Sequence, residues 1–414
     1  MITSIRMGRN SNDNRRSPTC KEAGQMTTRL FLLIVGMLLF HDAQAQTDTS
    51  HLRISMLTCG IGNETFETFG HTGIRVIDSA QPIVRRDLVY NYGTFDYFDG
   101  SFAYKFLSGD LEVYLDTINY SFFEQMFVEE QRSMMEQVLL LNGEQKARLL
   151  SALKKNALPE NRYYTYDPLS NNCTTKTRDL FYETFGSSIV FKDPLPENKR
   201  PTLRNCYNSY YRNRYWEHVS INLLLASDMD TVISRRDIIF IPKLLSIAMA
   251  GAILNGKKVA AAPLSILEDH VTRNKGVNEP FIFTSLLALL TVVATVYKSF
   301  YKLRRFIYTF VLVFSGILGC TLLYFWFCSD FDFTKNNFNL LWAFPLNVVV
   351  PFSKFKGSKI YILVGIACIT ATILLHLLRV QVIPLLEVAP FLLALSCAYG
   401  YMYRTGNFSC KSDN

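Results

Sequence analysis

The chain has 414 residues, 49% hydrophobic and 14% aromatic, enough for a folded domain and a membrane part. Its net charge of +8 does not mark a nucleic-acid binder: residues 46–280 hold 26 Lys and Arg against 28 Asp and Glu, and the basic excess lies near the N-terminus and around apolar runs. The nine cysteines show neither a paired framework nor a metal-ligand spacing such as C-x-x-C.

In chain order, the first element is an address. Arg29 opens a short apolar stretch through Phe40, and Ala43-Gln44-Ala45 follows, which is the layout of a secretory signal peptide; cleavage after Ala45 is the favoured reading and retention as an uncleaved anchor the alternative. The polar, Arg-rich residues ahead of Met26 are foreign to such a signal, so Met26 is the more natural start.

The exported part reads as mixed α and β. Residues 53–57, 72–76, 87–92 and 111–115 alternate like strands. Residues 142–157 form an amphipathic helix, with Asn142 as its cap and Glu144 in its first turn. After Tyr163-Tyr164-Thr165-Tyr166-Asp167-Pro168, Asn171 or Asn172 caps a second helix that Gly186 ends, so Cys173 falls in its first turn.

That position suits a nucleophile. The free amides and partial positive charge of a helix start favour thiolate over thiol, and the same amides can receive an oxyanion. The alternative is that Cys173 simply packs, as buried cysteines often do; its polar flanks Asn171-Asn172-Cys173-Thr174-Thr175 fit an exposed cap better. His71, in Phe69-Gly70-His71-Thr72-Gly73, begins a strand and is the natural base for such a thiol. Only Cys59, Cys173 and Cys206 lie in the exported part. A bridge between Cys59 and Cys206 would leave Cys173 free, but the sequence does not fix that pairing.

Four later runs have the length of membrane spans: 281–297, 306–328, 360–378 and 382–403. With residue 46 outside, the first span carries Lys298, Lys302, Arg304 and Arg305 to the cytoplasmic side, in line with the positive-inside rule. Residues 338–350, interrupted by Pro345 and Asn347, are a re-entrant or interfacial segment or a fifth span; Lys354, Lys356 and Lys359 would then be cytoplasmic. Cys320, Cys328, Cys368 and Cys397 are apolar fillers of these spans. The organisation is an N-terminal extension and signal over 1–45, an exported domain over 46–280 and a membrane domain over 281–414.

These residues carry a resemblance. A histidine on a strand followed later by Asn-Cys at a helix start is the chain order of permuted papain-like folds, the circularly permuted relatives of the NlpC/P60 hydrolases that include lecithin:retinol acyltransferase. More closely, Gly70-His71-Thr72-Gly73-Ile74-Arg75-Val76, Tyr90-Asn91-Tyr92-Gly93-Thr94-Phe95-Asp96, Asn172-Cys173-Thr174-Thr175 and Ile239-Phe240-Ile241-Pro242, followed by several spans, resemble the Bacteroidetes-type lipoprotein N-acyltransferases, the Lnb-like proteins.

The resemblance implies an α+β fold: a permuted papain-like (NlpC/P60-type) periplasmic domain followed by an all-α transmembrane domain of four to five helices in the bacterial inner membrane. It implies acyl transfer from a phospholipid, through a thioester on Cys173 with His71 as base, to the α-amine of a lipoprotein's N-terminal lipidated cysteine. Its partners are then the phospholipid donor, the lipoprotein acceptor and membrane lipids, with no cofactor, metal or nucleic acid. The residue orienting the imidazole lies between His and Cys on a neighbouring strand in such proteins, and Asn91 is the candidate here, against a plain turn role before Gly93. Asn172, Tyr92 and Trp342 are the candidates for touching substrate.

Lower-ranking candidates are Glu64 and Glu67 ahead of His71, the aromatics between Phe95 and Phe127, Glu387 inside the last apolar run, and Asn347; for each the structural reading stands first. A membrane-anchored thiol hydrolase acting on cell-wall peptides or lipids, and a non-enzymatic assembly module, are the alternative functions. Several spans favour lipid chemistry over wall peptides, because a wall hydrolase needs at most one anchor.

Overall fold

The computed structural model describes residues 48–405 except 97–99, 197, 235, 274–275 and 353–358, so the signal segment, the N-terminal extension, Lys354 and Lys356 lie outside the described residues. The N-terminal part is built on one antiparallel sheet. Its strands are β1 (Leu52–Cys59), β2 (His71–Asp78), β3 (Asp87–Thr94), β4 (Glu112–Asn119), β5 (Met134–Val138), β6 (Tyr163–Thr165) and, after a short three-stranded ribbon of β7 (Ile189–Val190), β8 (Ile253–Leu254) and β9 (Lys257–Lys258), β10 (Leu264–Leu267). The order across the sheet is β10-β5-β1-β2-β3-β4-β6.

Helices between the strands are α1 (Phe102–Ser108), α2 (Tyr120–Glu129), α3 (Gly143–Asn156), α4 (Cys173–Phe185), α5 (Leu203–Tyr210), α6 (Tyr215–Leu224) and α7 (Pro242–Ala250). They cover both faces of the sheet. Ile54, Met56, Ile74, Val76, Tyr90 and Tyr92 point into the main core with Leu149 and Leu153 of α3, Leu180 and Phe181 of α4 and Leu245 of α7. Leu57, Cys59 and Val89 point the other way, onto Phe123 and Phe127 of α2. Central strands covered on both sides lose the polar alternation of a half-exposed sheet, which is why seven of the eight residues of β1 are buried.

Local chemistry sets the helix starts. Asn142 accepts from the Gln145 amide at 2.9 Å and Gln145 returns the bond, a capping box that opens α3. Asn172 does the same for α4: its Oδ1 accepts from the amides of Thr174 (2.8 Å) and Thr175 (2.9 Å), while Thr175 Oγ1 accepts from the Asn172 amide.

Among the described residues the C-terminal part holds four helices apolar and long enough to cross a membrane: α8 (Glu279–Val296), α9 (Tyr301–Phe327), α10 (Lys359–Leu377) and α11 (Leu385–Thr405). Residues 338–352 form no helix of that length; they make two short 3-10 turns, Phe338–Leu341 and Pro345–Val348. This segment lies against the middle of α9, where side chains would not fit: a Cβ on Gly319 would stand 2.0 Å from the Ala343 carbonyl, and one on Gly316 would stand 2.2 Å from the Val348 amide. Its one buried polar side chain at that depth is satisfied, Asn347 donating to Ser315 Oγ and accepting from the hydroxyls of Tyr399 and Tyr361. Irregular backbone within a bundle is tolerated only when protein covers it in this way.

The two parts are joined by polar side chains. Arg204 and Asp230, 1% and 4% exposed, form a two-bonded pair at 2.8 and 2.9 Å, and Asp230 Oδ2 also accepts from the Val382 amide ahead of α11. Asn337 and Asn339 donate to the last carbonyls of α6, and Asn278, at the start of α8, donates to Glu387 at 2.8 Å. Glu387 therefore sits in the first turn of α11, where a carboxylate is favoured by the helix dipole, and serves to hold two helix starts together.

Candidate active site

His71 begins β2 just after Gly70, whose φ of +84° turns the chain into the strand at a place where a Cβ would meet the Cys59 carbonyl at 2.4 Å. Carrying the Ile74↔Tyr90 register along the strands puts Asn91 opposite Gly73, a diagonal neighbour of His71 on the same face. The two side chains meet: His71 Nε2 donates to Asn91 Oδ1 at 2.5 Å. The orientation of the amide is set by its other end, since Asn91 Nδ2 donates to Thr94 Oγ1 at 3.1 Å. A carbonyl oxygen accepts only, so Nε2 carries the proton and Nδ1 is left with the lone pair.

Nδ1 faces the sulfur. Cys173 and His71 are hydrogen-bonded side chain to side chain, and the Thr72 amide also donates to the sulfur. Burial works against a charge on either group. Even so, the His71 charge and hydrogen bond, with the Thr72 amide and the Thr174 hydroxyl, hold the Cys173 thiol below its ordinary value. In the same way the Cys173 charge and hydrogen bond, with Asn91, hold His71 above its own, Arg132 opposing. Both shifts favour the thiolate–imidazolium pair over the neutral one.

At α4 the amides of Thr174 and Thr175 are taken by Asn172 Oδ1 and that of Lys176 by the Asn172 carbonyl, so in this first turn it is the amide of Cys173 itself that is left to meet an oxyanion. The stabilising amide on sulfur comes from the neighbouring strand, at Thr72, and not from the helix that carries Cys173. Cys59 and Cys206 are both free thiols; Cys59 lies in β1 opposite His71 and Cys206 in α5, in different cores, and burial raises the pKa of both.

A residue that the sequence reading did not single out shares the opening at Gly93 with Cys173. Gly93, with φ +93° at a register shift in β3, leaves an opening in which a Cβ would lie 3.8 Å from Cys173 Cβ and 3.7 Å from the Tyr164 hydroxyl. That hydroxyl is buried and has no hydrogen-bond partner. Burial, then the Cys173 charge, push its pKa well up, so it stays a proton donor. The run Tyr163-Tyr164-Thr165-Tyr166 ahead of the Cys173 helix was the available signal.

The other candidates have separate places. Asn172 spends its amide on the α4 cap and on the carbonyls of Pro168 and Phe240. Tyr92 is in the main core and its hydroxyl accepts from Asn156 Nδ2 at 3.0 Å. Trp342 is 2% exposed in the core of the helical bundle, donates to Asn339, and is not brought near Cys173. Glu67 is buried in an ion pair with Arg132 at 3.1 Å, fixing the loop ahead of His71, whose Gly70 amide donates to the Glu67 carbonyl. Among the described residues no group of three His, Cys, Asp or Glu is placed to hold a metal ion.

With this geometry in hand, two family matches cover most of the chain. Residues 39–202 match the Lnb N-terminal periplasmic domain and residues 272–407 match the Lnb transmembrane domain. No curated protein and no solved structure matches the chain.

Proposed function

The chain is an Lnb-like membrane protein with a periplasmic domain, and from that premise we propose that it is a lipoprotein N-acyltransferase of the bacterial inner membrane. The single observation that carries this reading is the line Cys173–His71–Asn91, a polarised thiol at the head of a domain fixed to four apolar helices.

In the first half-reaction the Cys173 thiolate attacks the ester carbonyl carbon of a phospholipid. The ester C–O bond breaks, the departing alkoxide takes the proton from the His71 imidazolium, and a thioester remains on Cys173. In the second, the neutral α-amine of the lipoprotein's lipidated cysteine attacks the thioester, His71 takes the amine proton, and the thiolate leaves as the amide forms. Both tetrahedral intermediates carry an oxyanion. The Tyr164 phenol is the side-chain donor at the Gly93 opening with no other partner, and with the Cys173 amide it supplies the stabilisation that the capped helix amides do not. Asn91 keeps the imidazole in the tautomer that has its lone pair toward sulfur.

The test is Cys173→Ala in cells carrying a reporter lipoprotein. The reporter is expected to keep a free α-amine by mass spectrometry while the variant stays in the membrane. Unchanged N-acylation refutes the transferase reading, and loss of cell-wall peptide release in its place would make the protein a thiol hydrolase.

A further inference from the structure

Helix α1 links the bundle to the catalytic thiol. Its C-terminal end is closed by the chain leaving α9: Ser329 Oγ donates to the Leu107 carbonyl at 3.1 Å and the Asp330 amide donates to the Ser108 carbonyl at 2.9 Å. Gly109, at φ +86°, lets the chains touch, because a Cβ there would stand 3.1 Å from Asp330 Cβ. One turn back along α9, Tyr324 is hydrogen-bonded to Tyr104. α1 therefore lies level with the last turn of an apolar span, and on that side it exposes Tyr104 (65%) and Leu107 (44%) beside Phe327 (75%).

The opposite side of α1 faces the site. Phe102 and Phe106, four apart, lie on one stripe of the helix. Phe102 stacks on Phe95 at 5.1 Å, and Phe95 meets Phe66 edge-on at 5.7 Å. Phe106 lies 6.3 Å from Tyr166 and 6.1 Å from Phe331, just past the end of α9. Along the chain the row flanks the catalytic residues, Phe66 five residues ahead of His71 and Phe95 four after Asn91, and through Phe106 it meets Tyr166, which feels the charge of Cys173. None of its rings carries a charge, which suits hydrocarbon and would leave the polar groups of a wall peptide without partners.

We propose that this row is an acyl-chain site: one hydrocarbon chain of a membrane phospholipid rises beside the end of α9, passes α1 and lies along Phe102, Phe106, Phe95 and Phe66, with its ester at Cys173. The inference rests on the acyl-transfer reading and adds where the donor chain lies. The occupant is argued from continuity: α1 lies against the last turn of an apolar span, and the uncharged row on its other side runs to Tyr166 in the stretch that leads into the Cys173 helix.

The experiment uses the full chain in vesicles. A phosphatidylethanolamine with a diazirine in the middle of one acyl chain is photolysed on the Cys173→Ala protein, and crosslinks are expected in Phe102–Ser108 and at Phe95. Crosslinks confined to α8–α11 overturn the site. In protein with its thiol, Phe102→Ser and Phe106→Ser are expected to slow thioester formation from a dipalmitoyl donor about tenfold, leaving a dihexanoyl donor and iodoacetamide alkylation within about twofold. Equal slowing with both donors, or none, overturns the site; crosslinking at α1 without any thioester from any lipid would instead sink the acyl-transfer reading.

Discussion

His71 and Asn91, twenty residues apart in sequence, are joined across two strands by a 2.5 Å hydrogen bond that decides which imidazole nitrogen faces Cys173. The amide is itself locked by Thr94, so the imidazole cannot turn without breaking two bonds. Replacing Asn91 by Ala is expected to lower N-acylation of a reporter lipoprotein about 10- to 100-fold while thermal unfolding stays close to that of the parent. An unchanged rate in a kinetic assay would make Asn91 a turn residue only.

The thiol carries a pH signature. Because His71 and Thr72 lower its pKa, alkylation of Cys173 is expected to rise with pH and level off below the ordinary cysteine value of about 8.5. In His71→Ala the rise should move upward, since the charge that favoured thiolate is gone. Cys59 and Cys206, whose pKa values burial raises, the latter to about 11, should stay unlabelled at pH 7. Acyl transfer should fall again above the raised His71 value, where the imidazolium that protonates the leaving group is lost. Peptide mass mapping after brief iodoacetamide treatment at stepped pH reads the alkylation limbs.

Tyr164→Phe separates catalysis from packing. It removes an unpartnered buried hydroxyl, so stability should be unchanged or slightly higher. The rate of thioester formation should drop about 100-fold, in the range of a lost oxyanion donor, with alkylation of Cys173 unaffected. Equal thioester rates for the two proteins would remove Tyr164 from the mechanism.

The buried Arg204–Asp230 pair holds the Asp230 carboxylate in place where it accepts from the Val382 amide of the helical part. Arg204→Ala strands a buried carboxylate and is expected to cost about 3–5 kcal/mol, seen as a lower melting temperature in detergent. Arg204→Met with Asp230→Leu should recover only part of that loss, because the Asn222, Leu225 and Ala226 carbonyls and the Val382 amide then lose their partners. A single variant that melts like the parent would show that the pair adds nothing to stability.

What could be read in the sequence was what is local. A cap at Asn171 or Asn172 with Cys173 in the first turn follows from neighbouring residues, and so do strands β1 to β4 and the helix cap at Asn142. Strand β5 was not legible: Met134-Met135-Glu136-Gln137-Val138 looks polar, and only the fold shows Glu136 buried against Arg53 and Arg75. Tyr164 was hidden for a similar reason, since the groups that surround its hydroxyl come from β3 and α4. The crowded glycines Gly316 and Gly319 gave no warning that a non-helical segment would fill the space in front of them.

That segment alters the sidedness of the molecule. Arg304 stacks on Tyr401 and Lys359 on Tyr403, so the starts of α9 and α10 share one end of the bundle with the finish of α11. Asn278, Asp330, Val382 and Glu387 share the other end, with the thiol domain. Between Asn337, at the thiol-domain end, and Lys359, at the other, the chain has changed ends with no membrane-length helix among the described residues, so the passages are odd in number and the helices even. Counting hydropathy peaks alone would return Thr405 to the side of Cys173, whereas the chain leaves it on the opposite one.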